Sequence, residues 1–377
     1  MTALEYLQDL ISFESTSNLS NVAITDHVQA ALTKLGFDTE RIEYDDKNGV
    51  RKASVVGKRG GGVGGMAYAG HTDVVPAIDW FQPEHGPYRS VVDGDRVYGR
   101  GSCDMKGSIA CMIAAVERLK NVSLDAPLYF LATADEEIGY GGAKSIASES
   151  GYFREMVAQD TRTVVGEPTM LEVVNVHKGS GQISATSRGR AAHSSTSEGV
   201  NANLAMIPFL QVMKEIHDET EADPAWQNTD FDPPTLSWNI GINDHTVATN
   251  ITSPQSVCTI GLRPMPGIDV TPLLDRVRAA GEAFGVDVKI DGATEPLTTS
   301  PDAPVVRDLL EVTGNAAAKT VTYGTDASVL TGLQNLVVFG PGDIAQAHTF
   351  NEWIALEQLD KGTDVYETLI RRWCIGS

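Results

Sequence analysis

Four short apolar runs lie far apart in this chain, and each leads into a group that can bind a proton or a metal. Met66-Ala67-Tyr68-Ala69 leads into His71-Thr72-Asp73, and Tyr129-Phe130-Leu131-Ala132 into Asp135-Glu136-Glu137. Val164-Val165 leads into Gly166-Glu167, and Val337-Val338-Phe339 into a loop that ends on His348. Such runs, alternating with helical stretches, predict an α/β fold: a mostly parallel mixed sheet flanked by helices. In open sheets of this kind ligands bind outside the carboxyl ends of the strands, where these groups fall. Asp104 joins them from the glycine-rich stretch Gly99 to Gly107, just before a helix expected over 105–119.

The amino-terminal segment is helical by spacing, with Leu4, Leu7, Leu10 and Ile11 on one face and a second helix over about 23–35 stopped by Gly36. Beyond His177-Lys178-Gly179 the texture changes. Alternation over 182–186 predicts a half-solvated strand, followed by a helix over 203–216, strands near 236–242 and 257–262, a helix over 272–284 and a strand over 286–290. That β-α-β-β-α-β order predicts a two-layer α+β domain inserted into the first. The α/β texture then returns, ending in a helix over 356–373. The expected division is 1–178, 179–291 and 292–377, the outer two forming one domain.

A chain of 377 residues, 42% hydrophobic, is long enough to bury such cores. Its 29 basic against 50 acidic residues leave a net charge of -21, which repels phosphate backbones and anionic lipid, so neither nucleic acid nor membrane is an expected partner. The four cysteines, Cys103, Cys111, Cys258 and Cys374, fit neither a CxxC pattern nor a disulfide framework. No apolar run is long enough to span a bilayer, and the first residues do not resemble a signal peptide, so the expected location is the cytoplasm.

Taken singly, the polar groups have ordinary explanations: Asp104 as a helix cap, Glu136-Glu137 as solvated surface, His71 and His348 as loop histidines. Taken together they do not, because carboxylates converging on one crevice repel each other unless a cation sits among them. Imidazoles with carboxylates suit zinc or a similar divalent ion. His71, Asp104, Glu137, Glu167 and His348 suffice for two ions sharing one carboxylate, leaving Glu136 as a general base for water.

Gly70-His71-Thr72-Asp73-Val74-Val75-Pro76, Tyr98 to Gly101 with Asp104-Met105-Lys106-Gly107, Thr133 to Glu137, and Gly166-Glu167-Pro168-Thr169 together resemble metallopeptidase family M20, in that family's order and over nearly the whole chain. The resemblance implies two Zn2+ ions, with Co2+ or Mn2+ as substitutes. One would be held by His71, Asp104 and Glu167, the other by Asp104, Glu137 and His348, with Asp104 bridging. Asp73 would orient His71 by accepting a hydrogen bond from its other nitrogen. Glu136 would take a proton from water and pass it to the leaving amine.

The insert would be a lid and dimerisation domain, making the protein a homodimer. His193, in Gly189-Arg190-Ala191-Ala192-His193-Ser194-Ser195, would reach the other subunit's site and stabilise an oxyanion. Arg263, in Arg263-Pro264-Met265-Pro266-Gly267, would bind a substrate carboxylate, or serve as a structural ion-pair partner. Asn250, in a stretch Asn250-Ile251 similar to the family's Asn-Ile-Ile-Pro, would contribute to substrate binding, although Thr252-Ser253-Pro254 follows here. Asp326, in Tyr323-Gly324-Thr325-Asp326-Ala327, is either a contact for a substrate ammonium or a helix cap.

The implied activity is amide hydrolysis of a small N-acyl amino acid. N2-acetyl-L-ornithine is the first expectation, with succinyl-diaminopimelate, acetylcitrulline and small dipeptides as alternatives. A non-catalytic metal-binding scaffold dimer is the reading of another class; its signature would be a lost ligand or base, and none is missing.

Overall fold

The computed structural model describes residues 1–245, 248–291 and 293–376. The chain divides into two compact units. The first comprises Met1–Asn175, Thr299–Lys319 and the segment from Thr325 onward; the second comprises Val176–Thr298 and Thr320–Gly324. Relative to the division expected from sequence, residues 176–178, 293–298 and 320–324 group with the second unit. Local pairing accounts for part of this, since Leu297 and Thr298 pair with His177 and Val176.

The first unit is built on a mixed sheet whose centre is parallel. Leu128–Thr133, Met66–His71, Arg162–Val165 and Leu336–Val338 lie side by side in that order, all pointing the same way. The first two are buried along their whole length, as strands covered on both faces must be. Arg51–Arg59 and then Asp38–Asp45 extend one side antiparallel, and Val174 pairs antiparallel with Val338 on the other. Sequence patterning gave no sign of Asp38–Asp45: it is an edge strand, Asp-Thr-Glu-Arg-Ile-Glu-Tyr-Asp, in which only Ile42 is buried.

Helices Ala3–Ile11, Lys106–Arg118 and Leu356–Cys374 pack on one another beside the Met66–His71 strand. Lys106–Arg118 is buried over nearly all its length, and Gly107, Ser108, Ala110, Cys111, Ala114 and Ala115 let its neighbours approach closely. Each fully buried Leu, Ile, Phe or Met in this core contributes about 1.5–3 kcal/mol. A shared hydrogen-bond chain runs through the layer. Tyr68 donates to Ser108 Oγ (2.8 Å), Ser108 Oγ contacts Tyr366 Oη (2.8 Å), and Tyr366 donates to the Phe339 carbonyl (3.0 Å).

The second unit is a four-stranded antiparallel sheet in the order Asn239–Asn243, Gln255–Leu262, Gly181–Arg188, Asp287–Asp291. Helices Asn203–Ala222 and Thr271–Phe284 pack on each other and on the sheet. Its separate core includes Ile183, Phe209, Met213, Ile216, Ile260 and Val277. This is the two-layer α+β arrangement expected. The first helix runs six residues beyond Ile216, through a polar last turn that sequence periodicity does not detect. Among the described residues no helix is long and apolar enough to cross a membrane.

Candidate metal centre and active site

The parallel strands end together, and their ends are stitched by hydroxyls. Thr72 donates both its N–H and its Oγ–H to the Thr133 carbonyl (2.9 Å each), joining the His71-Thr72-Asp73 turn to the strand that precedes Asp135. Ser15 Oγ donates to the Thr72 carbonyl (2.7 Å) and Ser17 Oγ to Asp73 Oδ2 (2.7 Å). Asp135 follows in the left-handed region (φ 56°), turning the chain into a single 3-10 turn, Glu136–Ile138. Such a conformation costs a non-glycine residue on the order of 1 kcal/mol and persists because its surroundings enforce it. Here Lys52, fully buried, lies 2.6 Å from Asp135 Oδ1, and Tyr44 donates to Oδ2 (2.9 Å).

Glu167 stands after Gly166, whose N–H bonds the Ala69 carbonyl (2.9 Å). A Cβ at Gly166 would meet Ser108 Oγ at 2.3 Å and Tyr68 Oη at 2.5 Å, so only glycine lets the strand lie against that hydrogen-bond chain.

Six side chains distant in sequence converge here. His71 Nε2 lies 3.0 Å from Asp104 Oδ1 and 3.6 Å from Glu167 Oε1. His348 Nε2 lies 3.0 Å from Glu137 Oε2 and 3.4 Å from Asp104 Oδ2. The two oxygens of Asp104 therefore face different imidazoles. Donor atoms of His71, Asp104 and Glu137 come within 4.8 Å of one another, and so do those of His71, Glu136 and Glu167.

The second nitrogen of His71 behaves differently from the sequence expectation. Nδ1 is 2.9 Å from the main-chain carbonyl of Asp73 and 3.8 Å from its carboxylate. That carboxylate instead accepts the N–H groups of Glu136 (3.2 Å) and Glu137 (3.4 Å), so Asp73 shapes the turn that carries both glutamates. Amide donors outcompete the imidazole for it because they are fixed by the 3-10 turn. With Nδ1–H donated to a carbonyl, a neutral His71 directs the lone pair of Nε2 at carboxylate oxygens. That contact is repulsive unless a proton or a cation lies between.

The electrostatics point the same way. Burial raises the pKa of Glu167 and of Glu136 well above the usual range, and their neighbouring carboxylates add to it. Burial also raises Glu137, with Asp104 adding to the effect. Burial opposes charging of His71, yet Glu167 and Asp104 hold it well above the ordinary imidazole range. His348, hydrogen-bonded to Asp104 and Glu137, is pushed up to about 10. Four carboxylates and two imidazoles thus compete for protons in one cleft. This set of oxygen and imidazole donors fits borderline divalent cations such as zinc.

One residue that sequence reasoning passed over holds this centre. Glu352, fully buried, accepts Arg100 Nη1 (2.6 Å) and Gly101 N (2.9 Å) on one oxygen, and Cys103 N (2.9 Å) and Asp104 N (3.0 Å) on the other. The carboxylate thereby gathers the whole loop that presents Asp104. The only sequence signal was an unexplained acid four residues after His348. Asp326 lies at the base of the site, 1% exposed, with Oδ2 accepting Thr133 Oγ1 (2.6 Å), and burial lifts its pKa to about 6. So enclosed a side chain is not open to a solute in this arrangement, and the capping role falls to Thr325, whose hydroxyl accepts Ala327 N (3.1 Å).

His193, Asn250 and Arg263 belong to the second unit. His193 is exposed and its segment pairs with Ile251, while Ser194 N–H bonds the Asn250 carbonyl (2.9 Å). The backbone of Asn250 thus supports the histidine loop. Arg263 is half-buried near Lys178, and among the described residues no carboxylate lies within ion-pair distance of its guanidinium.

The sequence matches the family model described as peptidase family M20/M25/M40 over residues 67–372. The chain belongs to this family and is a metal-dependent hydrolase. It is 34% identical over 383 residues to the acetylornithine deacetylase of Myxococcus xanthus, covering 98% of this chain and 97% of that relative. It is 30% identical over 389 residues to the acetylornithine deacetylase of Aliivibrio salmonicida, with 98% of each covered. Among solved structures, the M20 family metallo-carboxypeptidase Sso-CP2 from Sulfolobus solfataricus is similar with a TM-score of 0.76 at 15% identity, covering 98% of this chain and 99% of that one. Human carnosine dipeptidase 1 is similar at 0.72 and 15%, covering 98% and 96%. At those identities the solved structures speak for the fold alone.

Proposed function

We propose that the chain hydrolyses the amide of N2-acetyl-L-ornithine, releasing ornithine and acetate in arginine biosynthesis in the cytoplasm. The single observation that carries the hydrolytic reading is Asp104, whose two oxygens face the two imidazoles while the carboxylates of Glu136, Glu137 and Glu167 stand around them. The choice of substrate rests on the curated relatives, which carry that name along their full length. The cytoplasmic location is supported by four cysteines that are all free and buried.

His71, Asp104 and Glu167 would hold one zinc, and Asp104, Glu137 and His348 a second. Bound there, the ions would polarise the scissile carbonyl and make water acidic enough to attack at neutral pH. Glu136 takes the proton from the attacking water and returns it to the departing amine. His193 donates a hydrogen bond to the oxyanion, and Arg263, which has no carboxylate partner among the described residues, receives the substrate carboxylate. The purified protein, reconstituted with zinc or cobalt, is expected to turn over N2-acetylornithine with the highest kcat/KM in a panel of N-acyl amino acids. A clear preference for succinyl-diaminopimelate, acetylcitrulline or a dipeptide would overturn this choice. Full metal loading with no turnover of any of them would favour the scaffold reading.

The same reading makes the protein a homodimer through its second unit. In support, Asn239–Asn243 is a sheet edge that, among the described residues, pairs on one side only, with Ile242 63% exposed, and the adjacent helix leaves Leu204 and Ile207 largely exposed. Exposed apolar groups beside an open strand edge suit pairing with a second copy. Ile207→Glu combined with Ile242→Lys is expected to convert a two-chain species to one chain by light scattering, with activity falling alongside. An unchanged mass would exclude this surface.

A further inference from the structure

The loop that carries His193 fixes more than the position of its ring. Arg190 and Val200 exchange both backbone hydrogen bonds (2.8 and 2.9 Å), and Thr252 N–H bonds the Ala192 carbonyl (2.9 Å), so the loop is closed at its stem. Inside it, Thr196 holds the His193 carbonyl through its N–H (3.0 Å) and its hydroxyl (2.9 Å). Two further groups, both from Ser195, converge on one ring nitrogen. The Ser195 amide N–H lies 3.3 Å from His193 Nδ1, and Ser195 Oγ lies 2.7 Å from it.

A hydroxyl can donate or accept, but an amide N–H can only donate. Nδ1 must therefore offer its lone pair, and a neutral imidazole then carries its single proton on Nε2. We infer that Ser195 is a positioning residue that fixes His193 in the Nε2–H tautomer, so that the ring offers a donor to the substrate oxyanion. This rests on the proposed role of His193. The other tautomer would aim a lone pair at developing negative charge and forfeit the stabilisation. In this role Ser195 acts through the ring, the group its amide and hydroxyl both meet. Its hydroxyl strengthens, at 2.7 Å, a preference that the longer amide contact alone holds weakly.

The test uses the full-length metallated enzyme labelled with 15N-histidine, with the His193 resonances identified by their loss in His193→Asn. Long-range proton–nitrogen correlations are expected to show Nε2–H in the parent and a mixture of tautomers in Ser195→Ala. The same variant is expected to lose roughly fivefold to tenfold in kcat, the equivalent of one hydrogen bond, with KM changed less than about twofold. Ser195→Thr, which keeps the hydroxyl, restores both readouts. In a His193→Ala background Ser195→Ala has no further effect, since the ring through which it acts is gone. If Ser195→Ala keeps the Nε2–H tautomer and parental kcat while His193→Ala loses about a hundredfold, the positioning role is overturned and the oxyanion reading stands. If His193→Ala itself keeps parental kcat, both fall together.

Discussion

Replacing Glu136 by glutamine is expected to leave the protein folded and metallated while lowering kcat about 10²- to 10⁴-fold, the usual worth of a positioned general base. Glutamine matches glutamate in shape, so the N–H that Glu136 donates to Asp73 and the 3-10 turn around it persist. What disappears is the carboxylate that can take a proton. The measurement is paired: steady-state kinetics together with elemental analysis of the same preparation. Because the Glu136 carboxylate groups with His71 and Glu167, it could instead be spent on coordination. In that case the glutamine variant would lose metal in proportion to its lost rate, and the base would have to be sought elsewhere.

Glu136 also shows how far the site was legible in the sequence. Strand ends are coded locally: a short apolar run stops where polarity begins, and groups just beyond several parallel strands must share one crevice. That logic needs no knowledge of side-chain direction, and it drew together His71, Glu136, Glu137, Glu167 and His348. Side-chain direction lies outside that logic. The family resemblance implied that the Asp73 carboxylate orients the ring, whereas the main-chain carbonyl of Asp73 is the closer acceptor and the carboxylate takes the N–H groups of the glutamate turn. Asp326 was weighed as a cap although Thr325, one residue earlier, has the extended backbone and short hydroxyl that capping requires. Of the fold, the buried central strands were plain from their apolar runs. The solvated edge strand Asp38–Asp45 and the polar end of the Asn203–Ala222 helix were not, since neither carries an apolar period.

Glu352 lay beyond local reasoning altogether, because its partners are about 250 residues away, and it sets the largest expected effect on stability. Glu352→Ala is expected to destabilise the protein by about 3–5 kcal/mol, the cost of leaving a buried charge without its counter-ion. Arg100 and Glu352 are 2.6 Å apart with side chains 2% and 1% exposed, so water cannot replace the lost partner. Glutamine is no conservative alternative: both carboxylate oxygens accept two N–H groups each, and an amide presents NH₂ to one of those pairs. Metal affinity should fall about 10- to 100-fold in either variant, because the Gly101–Asp104 loop loses the group that aims Asp104. Thermal unfolding of chelator-treated protein reads the first effect, and metal titration of the folded variant the second. The double variant Arg100→Met, Glu352→Leu removes the stranded charge but not the problem. The amides of Gly101, Cys103 and Asp104 would still lack an acceptor, each at about 1–3 kcal/mol if it stays buried. It should therefore remain less stable than the parent. Recovery of parental stability would mean that the carboxylate serves Arg100 alone and does not organise the loop.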